Sequence, residues 1–238
     1  VFHTYQKSYQ IGNPQKIADN AMINVISDFR NFDIKNGGIG APLIPIFHQY
    51  LFGKENCKKI ILNIGGIANG TYLDGREIKL ASDIGPGNCL MDLVAEMTLN
   101  TNFDPGGETA SKGNIIQELL EKLHTKCAHM NYPRADDKQD YYKILNVDIK
   151  KHNNEDLLRT LAEFTADKIL EFFKHCESPE EMIVHGGGIN NHFLMGLIKE
   201  KLNVQIKTSD FKIPSKFVES AAFAYLAFLE KGEIFLVK

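Results

Sequence analysis

Two kinds of hydrophobic pattern alternate along this chain and predict a mixture of strands and helices. Continuous apolar runs, such as residues 59–64, are typical of buried strands, whereas apolar residues three or four apart predict helices that bury one face. The predicted strands are 1–11, 23–29, 59–64, 68–73, 78–81, 182–185 and 204–206. The predicted helices are 14–20, 43–52, 89–98, 115–123, 157–173, 191–202 and 218–229. Consecutive strands followed by strand–helix alternation indicate a layered α/β domain.

A polar stretch interrupts this pattern at residues 124–143. It lacks a clear period, which is typical of an exposed loop or insertion. The sequence shows no internal repeat of short period.

Glycine follows three of the predicted strands. Such residues let main-chain amides approach a ligand, and where a helix follows, its free amides favour an anion such as phosphate. The alternative is that they form tight turns without a ligand. The chain has neither a GxxxxGK[ST] nor a GxGxxG pattern, which excludes a P-loop and the dinucleotide fingerprint. The three clusters are Gly65-Gly66, Gly85-Pro86-Gly87 and Gly186-Gly187-Gly188.

An acid stands beside the second glycine cluster. Asp83 precedes Gly85, and a carboxylate at a strand end can act as a general base toward water or a hydroxyl. Its alternative role is to cap the helix that follows. Asp92 lies four residues beyond Asn88 and is predicted to orient a loop or to be solvated.

Other polar residues carry weaker signals. Asn63 and Asn69 flank Gly65-Gly66 and could hydrogen-bond a polyol. Glu219 opens an alanine-rich helix, where a carboxylate usually makes a favourable contact with the helix dipole. His185 is predicted to be a buried structural histidine.

Composition narrows the classes of function. The 238 residues are 43% hydrophobic and 24% charged, the balance of a globular protein with a core. The net charge of −3 argues against nucleic-acid and anionic-membrane partners. No apolar run approaches the roughly 20 residues that a membrane span needs. The four cysteines show no CxxC spacing, so reduced thiols in a cytoplasmic protein are predicted.

The ends of the chain also suggest a prediction. Val1 opens the sequence inside an apolar, strand-like run, and residues 234–238 close it in another. The interpretation favoured is that an N-terminal segment is missing. The alternatives are a trimmed chain and an alternative start codon.

Seven segments together resemble the anhydro-N-acetylmuramic acid kinase family, in the family's order and over nearly the whole chain. The pair N-I-G-G-I-A-N and D-x-G-P-G-N is specific. The segments are Q-I-G at 10–12, S-D-F-R at 27–30, G-G-I-G-A-P at 37–42, N-I-G-G-I-A-N at 63–69, D-I-G-P-G-N at 83–88, G-G-G at 186–188 with Asn191, and V-E-S-A-A-F-A at 218–224.

The resemblance implies a fold and a division of the chain. The fold would be the actin–hexokinase–Hsp70 superfold, an actin-like ATPase in which two RNase H-like lobes surround an ATP cleft. Residues 1–33 would be a remnant of the first lobe, 34–229 a largely complete second lobe, and 230–238 a segment that returns to the first lobe.

The resemblance also implies an activity. Family members open the 1,6-anhydro ring of anhydro-N-acetylmuramic acid with water and phosphorylate O6, which gives N-acetylmuramic acid 6-phosphate for peptidoglycan recycling. Asp83 would be the base for that water, with ATP and Mg²⁺ as cofactors and no metal ligand from the protein. The nucleotide would contact Gly85, Pro86, Gly87, Asn88, Gly186, Gly187, Gly188 and Asn191. The sugar would contact Asn63, Gly65, Gly66, Asn69, Arg30 and Glu219.

Three departures from the family's pattern keep other hypotheses open. The MSGTSxDG phosphate hairpin does not occur, residues 133–140 have lost most of a PPKSTGRE-like loop, and Ile84 replaces the usual threonine. The chain could therefore be an inactive remnant that binds sugar or nucleotide weakly, or a kinase of this superfold with another substrate. A half-missing lobe would expose apolar surface, so self-association, for instance as a homodimer, is predicted.

Overall fold

The structure is a computed structural model that describes residues 2–3, 7–128, 131–145 and 151–237. It divides into two compact units. The smaller unit comprises Val1–Phe52 and Glu219–Lys238, and the larger unit comprises Gly53–Val218. These bounds differ from the predicted lobes, because residues 34–52 and 219–229 group with the smaller unit. The assignment of either unit to a lobe stays a prediction.

The strands follow the hydrophobic runs closely. They are β1 (Phe2–His3), β2 (Ser8–Tyr9), β3 (Val25–Ser27), β4 (Lys58–Ile64), β5 (Ile67–Asp74), β6 (Glu77–Pro86), β7 (Glu181–His185), β8 (Gln205–Thr208) and β9 (Glu233–Phe235).

The helices likewise follow the apolar residues at helical spacing. They are α1 (Pro14–Ala21), α2 (Phe29–Lys35), α3 (Pro45–Phe52), α4 (Cys89–Leu99), α5 (Gln117–Lys126), α6 (Lys138–Leu145), α7 (Asn154–His175), α8 (His192–Lys201) and α9 (Val218–Phe228). No helix in the described ranges is both long enough and apolar enough to cross a membrane.

The larger unit is built on a five-stranded sheet in the order β6-β5-β4-β7-β8. β5 runs antiparallel to both β4 and β6, and β7 runs parallel to β4 and β8. The carboxyl ends of β4, β6 and β7 therefore lie at the same edge of the sheet, and each glycine cluster lies at or directly after one of these ends.

Helices α4 to α8 contribute apolar side chains to one core, which lies on one side of this sheet. Alternate residues of β4, namely Ile60, Leu62 and Ile64, point into that core and are fully buried. The long helix α7 supplies Phe164 and Phe172 to it. Since side chains alternate along a strand, the residues between these core positions face the other side of the sheet.

In the smaller unit, β3 pairs antiparallel with β9, so that Ile26 lies opposite Ile234. The apolar C-terminal run thus forms a strand next to the N-terminal part of the chain. Helix α1 begins at Pro14 and is capped by Asn13, whose side chain accepts from the Lys16 N–H at 3.0 Å. Pro at the first helical position explains why this start was predictable.

Some predicted elements were wrong in extent. The strand predicted at 78–81 continues to Pro86, because Gly85 and Pro86 still pair with β5. The stretch 124–143 is not wholly irregular: α5 continues to Lys126, and α6 begins at Lys138. Helix α2 was not predicted. The strand predicted at 1–11 is two short antiparallel strands, and its residues 1 and 4–6 lie outside the described residues.

Candidate active site

The glycine turns after β4 and β6 are tied together by main-chain hydrogen bonds. The Gly66 carbonyl accepts from the N–H of Gly87 at 2.9 Å and of Cys89 at 3.0 Å, and the Gly65 carbonyl accepts from the Asn88 N–H at 2.8 Å. The two turns therefore form one rigid piece at the edge of the sheet, immediately before α4 begins.

Close packing explains why several of these positions are glycine. A Cβ on Gly87 would lie 2.3 Å from the Gly65 carbonyl oxygen, and one on Gly188 would lie 2.2 Å from the Ile64 side chain. Gly187 differs, because a Cβ there meets no atom within 4 Å. The glycine clusters therefore serve mainly to bring strand ends together, and Gly187 presents its main chain to open space.

A row of four polar residues crosses the sheet at this edge. In the strand register His185 lies opposite Asn63, Asn63 opposite Asn69, and Asn69 opposite Asp83. Each is adjacent in sequence to a residue that faces the helices, so all four point to the other side of the sheet. The structure thus unites three predicted site residues, Asn63, Asn69 and Asp83, with a histidine whose place in the row was not predicted.

The histidine of this row is uncharged at neutral pH. His185 is completely buried, and burial lowers the pKa of its imidazole to about 4. This agrees with the prediction of a buried structural histidine. It also means that this histidine adds no positive charge to the row.

Asp83 is held by the segment that precedes α6. The side-chain Oδ2 of Asp83 accepts the N–H of Asp136 at 2.8 Å, and the main-chain N–H of Asp83 donates to the carbonyl of Arg134 at 3.0 Å. In the sequence, residues 133–140 show only that most of a family motif is lost. The structure shows that they contact the predicted base.

A cleft of about 450 Å³ opens beside the turns, between the start of α4 and the start of α8. Three predicted nucleotide residues, Asn88, Gly187 and Asn191, line it. The remaining lining residues were not assigned to a ligand from the sequence, which carries no local signal for most of them. They are Met91, Asp92, Phe103, Asp104, Gly106 and Asn190.

Local hydrogen bonds shape the walls of this cleft. Asn191 caps α8, because its side-chain oxygen accepts from the Leu194 N–H at 3.0 Å. The carboxylate of Asp104 accepts from the N–H groups of Thr109 and Ala110 at 3.0 and 2.9 Å, and so holds the turn that follows Phe103. The N-termini of two helices, α4 and α8, thus lie near the cleft, a setting that favours an anionic ligand.

One acid in the cleft has an altered proton affinity. Asp92 is half-buried on α4, and burial raises the pKa of its carboxyl from 3.8 to about 6. A carboxyl with a raised pKa in a cleft is typical of functional sites. Asp92 is therefore a candidate functional residue, beyond the predicted roles of orienting a loop or being solvated.

We expect Asp92→Asn to stabilise the protein at pH 7.5 but not at pH 4. A raised carboxyl pKa means that the native state prefers the protonated form. Its contribution to stability is complete below pH 3.8 and is lost as pH rises through about 6. After allowance for solvent screening, the free energy of unfolding of the variant relative to the wild type should rise by about 1–2 kcal/mol between pH 4 and pH 7.5. Urea denaturation of both proteins at each pH measures this, and an equal difference at both would contradict it.

Two predicted sugar residues lie in the smaller unit. Arg30 is on α2 and donates to the carbonyl of Gly40 at 2.7 Å, and Glu219 is in the first turn of α9. Their contact with a sugar stays a prediction.

The predicted turn residues Gly85 and Pro86 lie in β6 rather than in a loop.

Metal-binding clusters and disulfides are not features of the described part of the chain. No group of three or more His, Cys, Asp or Glu residues suited to a metal ion occurs there. All four cysteines are free thiols.

Comparison with known proteins identifies the family whose sequences this chain matches. The family model described as anhydro-N-acetylmuramic acid kinase matches residues 1–234. The chain is 39% identical over 226 residues to the anhydro-N-acetylmuramic acid kinase of Shewanella sp. (strain MR-4), covering 92% of this chain and 61% of that protein. It is 36% identical over 225 residues to that of Gamma-proteobacterium EBAC31A08, covering 93% and 62%. The chain thus spans less than two thirds of the length of these relatives.

A solved structure shows the same fold. The activator of the 2-hydroxyisocaproyl-CoA dehydratase from Clostridium difficile, with bound ADPNP, superimposes with a TM-score of 0.51 at 15% identity. The match covers 79% of this chain and 65% of that one. The predicted α/β fold of the actin-like ATPases is therefore confirmed. The family match over residues 1–234 shows that the chain belongs to the anhydro-N-acetylmuramic acid kinase family.

Proposed function

We propose that this protein uses ATP to open 1,6-anhydro-N-acetylmuramic acid and to phosphorylate O6, which yields N-acetylmuramic acid 6-phosphate for peptidoglycan recycling. The observation that carries the proposal is the position of Asp83. It ends the polar row at the edge where β4, β6 and β7 finish, in a chain whose family model covers residues 1–234.

Asp83 has the chemistry that the first half of the reaction needs. A carboxylate beside bound water can take its proton while the water oxygen attacks the anomeric carbon. The bond from that carbon to O6 then breaks, and O6 bonds to the terminal phosphorus of ATP while ADP leaves. Positioning and charge neutralisation supply most of the catalysis in such transfers.

The cleft beside α4 and α8 suits the nucleotide. Its volume of about 450 Å³ lies within the range of small-molecule sites, and the open main chain of Gly187 allows close approach. Phe103 lines this cleft and is 57% exposed, so its ring is accessible for stacking on a base. The Clostridium difficile activator, which shares the fold, was solved with ADPNP, and this also favours nucleotide binding.

Magnesium would arrive with the nucleotide. Mg²⁺ is usually held by substrate phosphates, water and one or two carboxylates rather than by a protein cage. The described residues contain no such cage, so the substrate phosphates and water would supply most of the ligands. When bound, the ion would neutralise phosphate charge. Because the reaction consumes ATP, we also propose that the protein acts in the cytoplasm.

We further propose that the protein self-associates. The smaller unit exposes large apolar side chains, among them Ile11, Met22 and Phe228, the last at 81% exposure. Such surface is typically covered by a partner, and a second copy would supply one with matching symmetry. Light scattering at micromolar concentration should show species heavier than one chain. A monomer at all concentrations would contradict the proposal.

A turnover assay tests the proposed reaction. The folded protein, checked by circular dichroism, is incubated with ATP, Mg²⁺ and 1,6-anhydro-N-acetylmuramic acid, and the 6-phosphate is sought by mass spectrometry. We expect product that depends on both substrates. Nucleotide binding without any product would instead favour the alternative that this chain, which spans 61–62% of these relatives, binds ligand without turnover.

A further inference from the structure

The segment from Tyr132 to Tyr141 runs along the outer edge of β6. That strand lies at the end of the sheet order, so among the described residues no strand pairs with its outer side. The Arg134 N–H donates to Ser82 Oγ at 2.9 Å, and the Asp83 N–H donates to the Arg134 carbonyl at 3.0 Å. Ser82 Oγ in turn donates to the Asp83 carbonyl at 2.7 Å. The main chain of Asp83 is therefore tied to this segment on its N–H and carbonyl sides.

The side chain of Asp83 is tied to the same segment. Its Oδ2 accepts the Asp136 N–H at 2.8 Å, across 53 residues of sequence. A hydrogen bond to an ionised carboxylate is stronger than one between neutral groups. One carboxylate oxygen of Asp83 is consequently held in place.

A buried ion pair fixes the donor of that hydrogen bond. Arg134 Nε donates to both carboxylate oxygens of Asp136, at 2.9 and 3.2 Å, and the two side chains are only 9% and 2% exposed. Arg134 Nη2 also donates to the carbonyl of Ile84. The Tyr141 hydroxyl donates to Asp136 Oδ2 at 2.6 Å, and burial raises the pKa of that hydroxyl, so it keeps its proton.

Buried ion pairs are poor stabilisers of a fold. The desolvation of both charges offsets much of their attraction, and an apolar pair of similar volume often serves as well. A buried Arg–Asp pair whose amide and carbonyl groups bind a candidate base is therefore better explained by orientation than by stability.

We propose that Arg134, Asp136 and Tyr141 form a positioning unit that fixes the carboxylate of Asp83 for proton transfer. The inference rests on the proposed function of Asp83. None of the three residues touches substrate in this role; they act through the Asp136 amide. The altered loop at 133–140 is thus a working replacement rather than a degraded motif.

Kinetics of three variants test the positioning role. Arg134→Met and Asp136→Asn should lower kcat about 10- to 100-fold, because a misplacement of about 1 Å has an effect of this size. The KM for Mg·ATP should stay within about twofold. The acidic limb of the pH–rate profile should move to higher pH, because a lost donor makes protonation of the base easier. Arg134→Lys, which keeps the charge, should recover part of the rate.

Folding defects are separated from positioning by two further variants. Tyr141→Phe removes one hydroxyl without a change of shape, and should still lower kcat several-fold. Lys143→Gln changes a charge on the same helix at an exposed ion pair with Asp140, and should leave kcat unchanged. Equal losses in kcat and in folded fraction across the set, with an unmoved pH profile, would overturn the inference.

An NMR measurement separates this inference from the proposed function. In the wild type the Asp136 amide signal should shift as pH falls through the titration of Asp83. Asp83→Asn should abolish that response, and Arg134→Met should weaken it. If the pH-dependent shift of the Asp136 amide signal is unchanged in Asp83→Asn, the positioning unit is overturned, whatever the enzymatic activity. If the wild type forms no product but the amide responds as expected, the proposed function fails and the positioning contact stands.

Discussion

Replacement of Asp83 by asparagine is expected to lower kcat by a factor of about 10²–10⁴, the range that general bases contribute. Asparagine has nearly the same shape, and its side-chain oxygen can still accept the Asp136 N–H that Asp83 accepts at 2.8 Å. It cannot take a proton from water. The loss corresponds to about 3–5 kcal/mol of transition-state stabilisation, and steady-state assays at saturating substrate measure it.

Asp140→Asn is the matched control for this change. It makes the same acid-to-amide replacement at an exposed site, where Asp140 pairs with Lys143 at 2.8 Å and both side chains are more than two-thirds exposed. Exposed pairs contribute little to stability, so activity and melting temperature should match the wild type. Retention of more than about a tenth of the wild-type rate by Asp83→Asn would show that another group accepts the proton.

Replacement of Gly87 by alanine is expected to destabilise the larger unit by roughly 3 kcal/mol or more, in the range of severe core substitutions. The added Cβ would lie 2.3 Å from the Gly65 carbonyl oxygen and 3.1 Å from the Ala68 nitrogen. Both are main-chain atoms, so no side-chain rotation relieves the clash. The Asn88 N–H bond to the same Gly65 carbonyl would be strained with it.

Gly196→Ala supplies the contrast for the Gly87 variant. Gly196 lies inside α8, and a Cβ there meets no atom within 4 Å. Alanine should therefore stabilise the helix by about 0.5–1 kcal/mol. Urea denaturation gives both free energies of unfolding. A loss below about 1 kcal/mol for Gly87→Ala would mean that the two turns are not packed as closely as described.

The reason for glycine at positions 87, 186 and 188 cannot be inferred from the neighbouring residues in the sequence alone. The sequence indicated a turn that admits a ligand, or a tight turn without one. In the structure, a Cβ at any of these three positions would lie within 2.3 Å of a neighbouring atom from another turn or strand. The distinction from Gly187, which faces open space, depends on neighbours that are distant in sequence.

The sequence by itself determined most of the strands and helices and their order, the place of the glycine turns and the family to which the chain belongs. These follow from local periodicity and from short motifs, which a single chain displays directly. Only the tertiary structure decided that His185, Asn63, Asn69 and Asp83 form one row, because strand register sets it. It alone brought Asp136 to Asp83 across 53 residues. The physical reason is that the contacts of a buried ion pair and of a sheet edge depend on shape and charge in three dimensions. A contact between residues 53 positions apart produces no periodic pattern in the sequence.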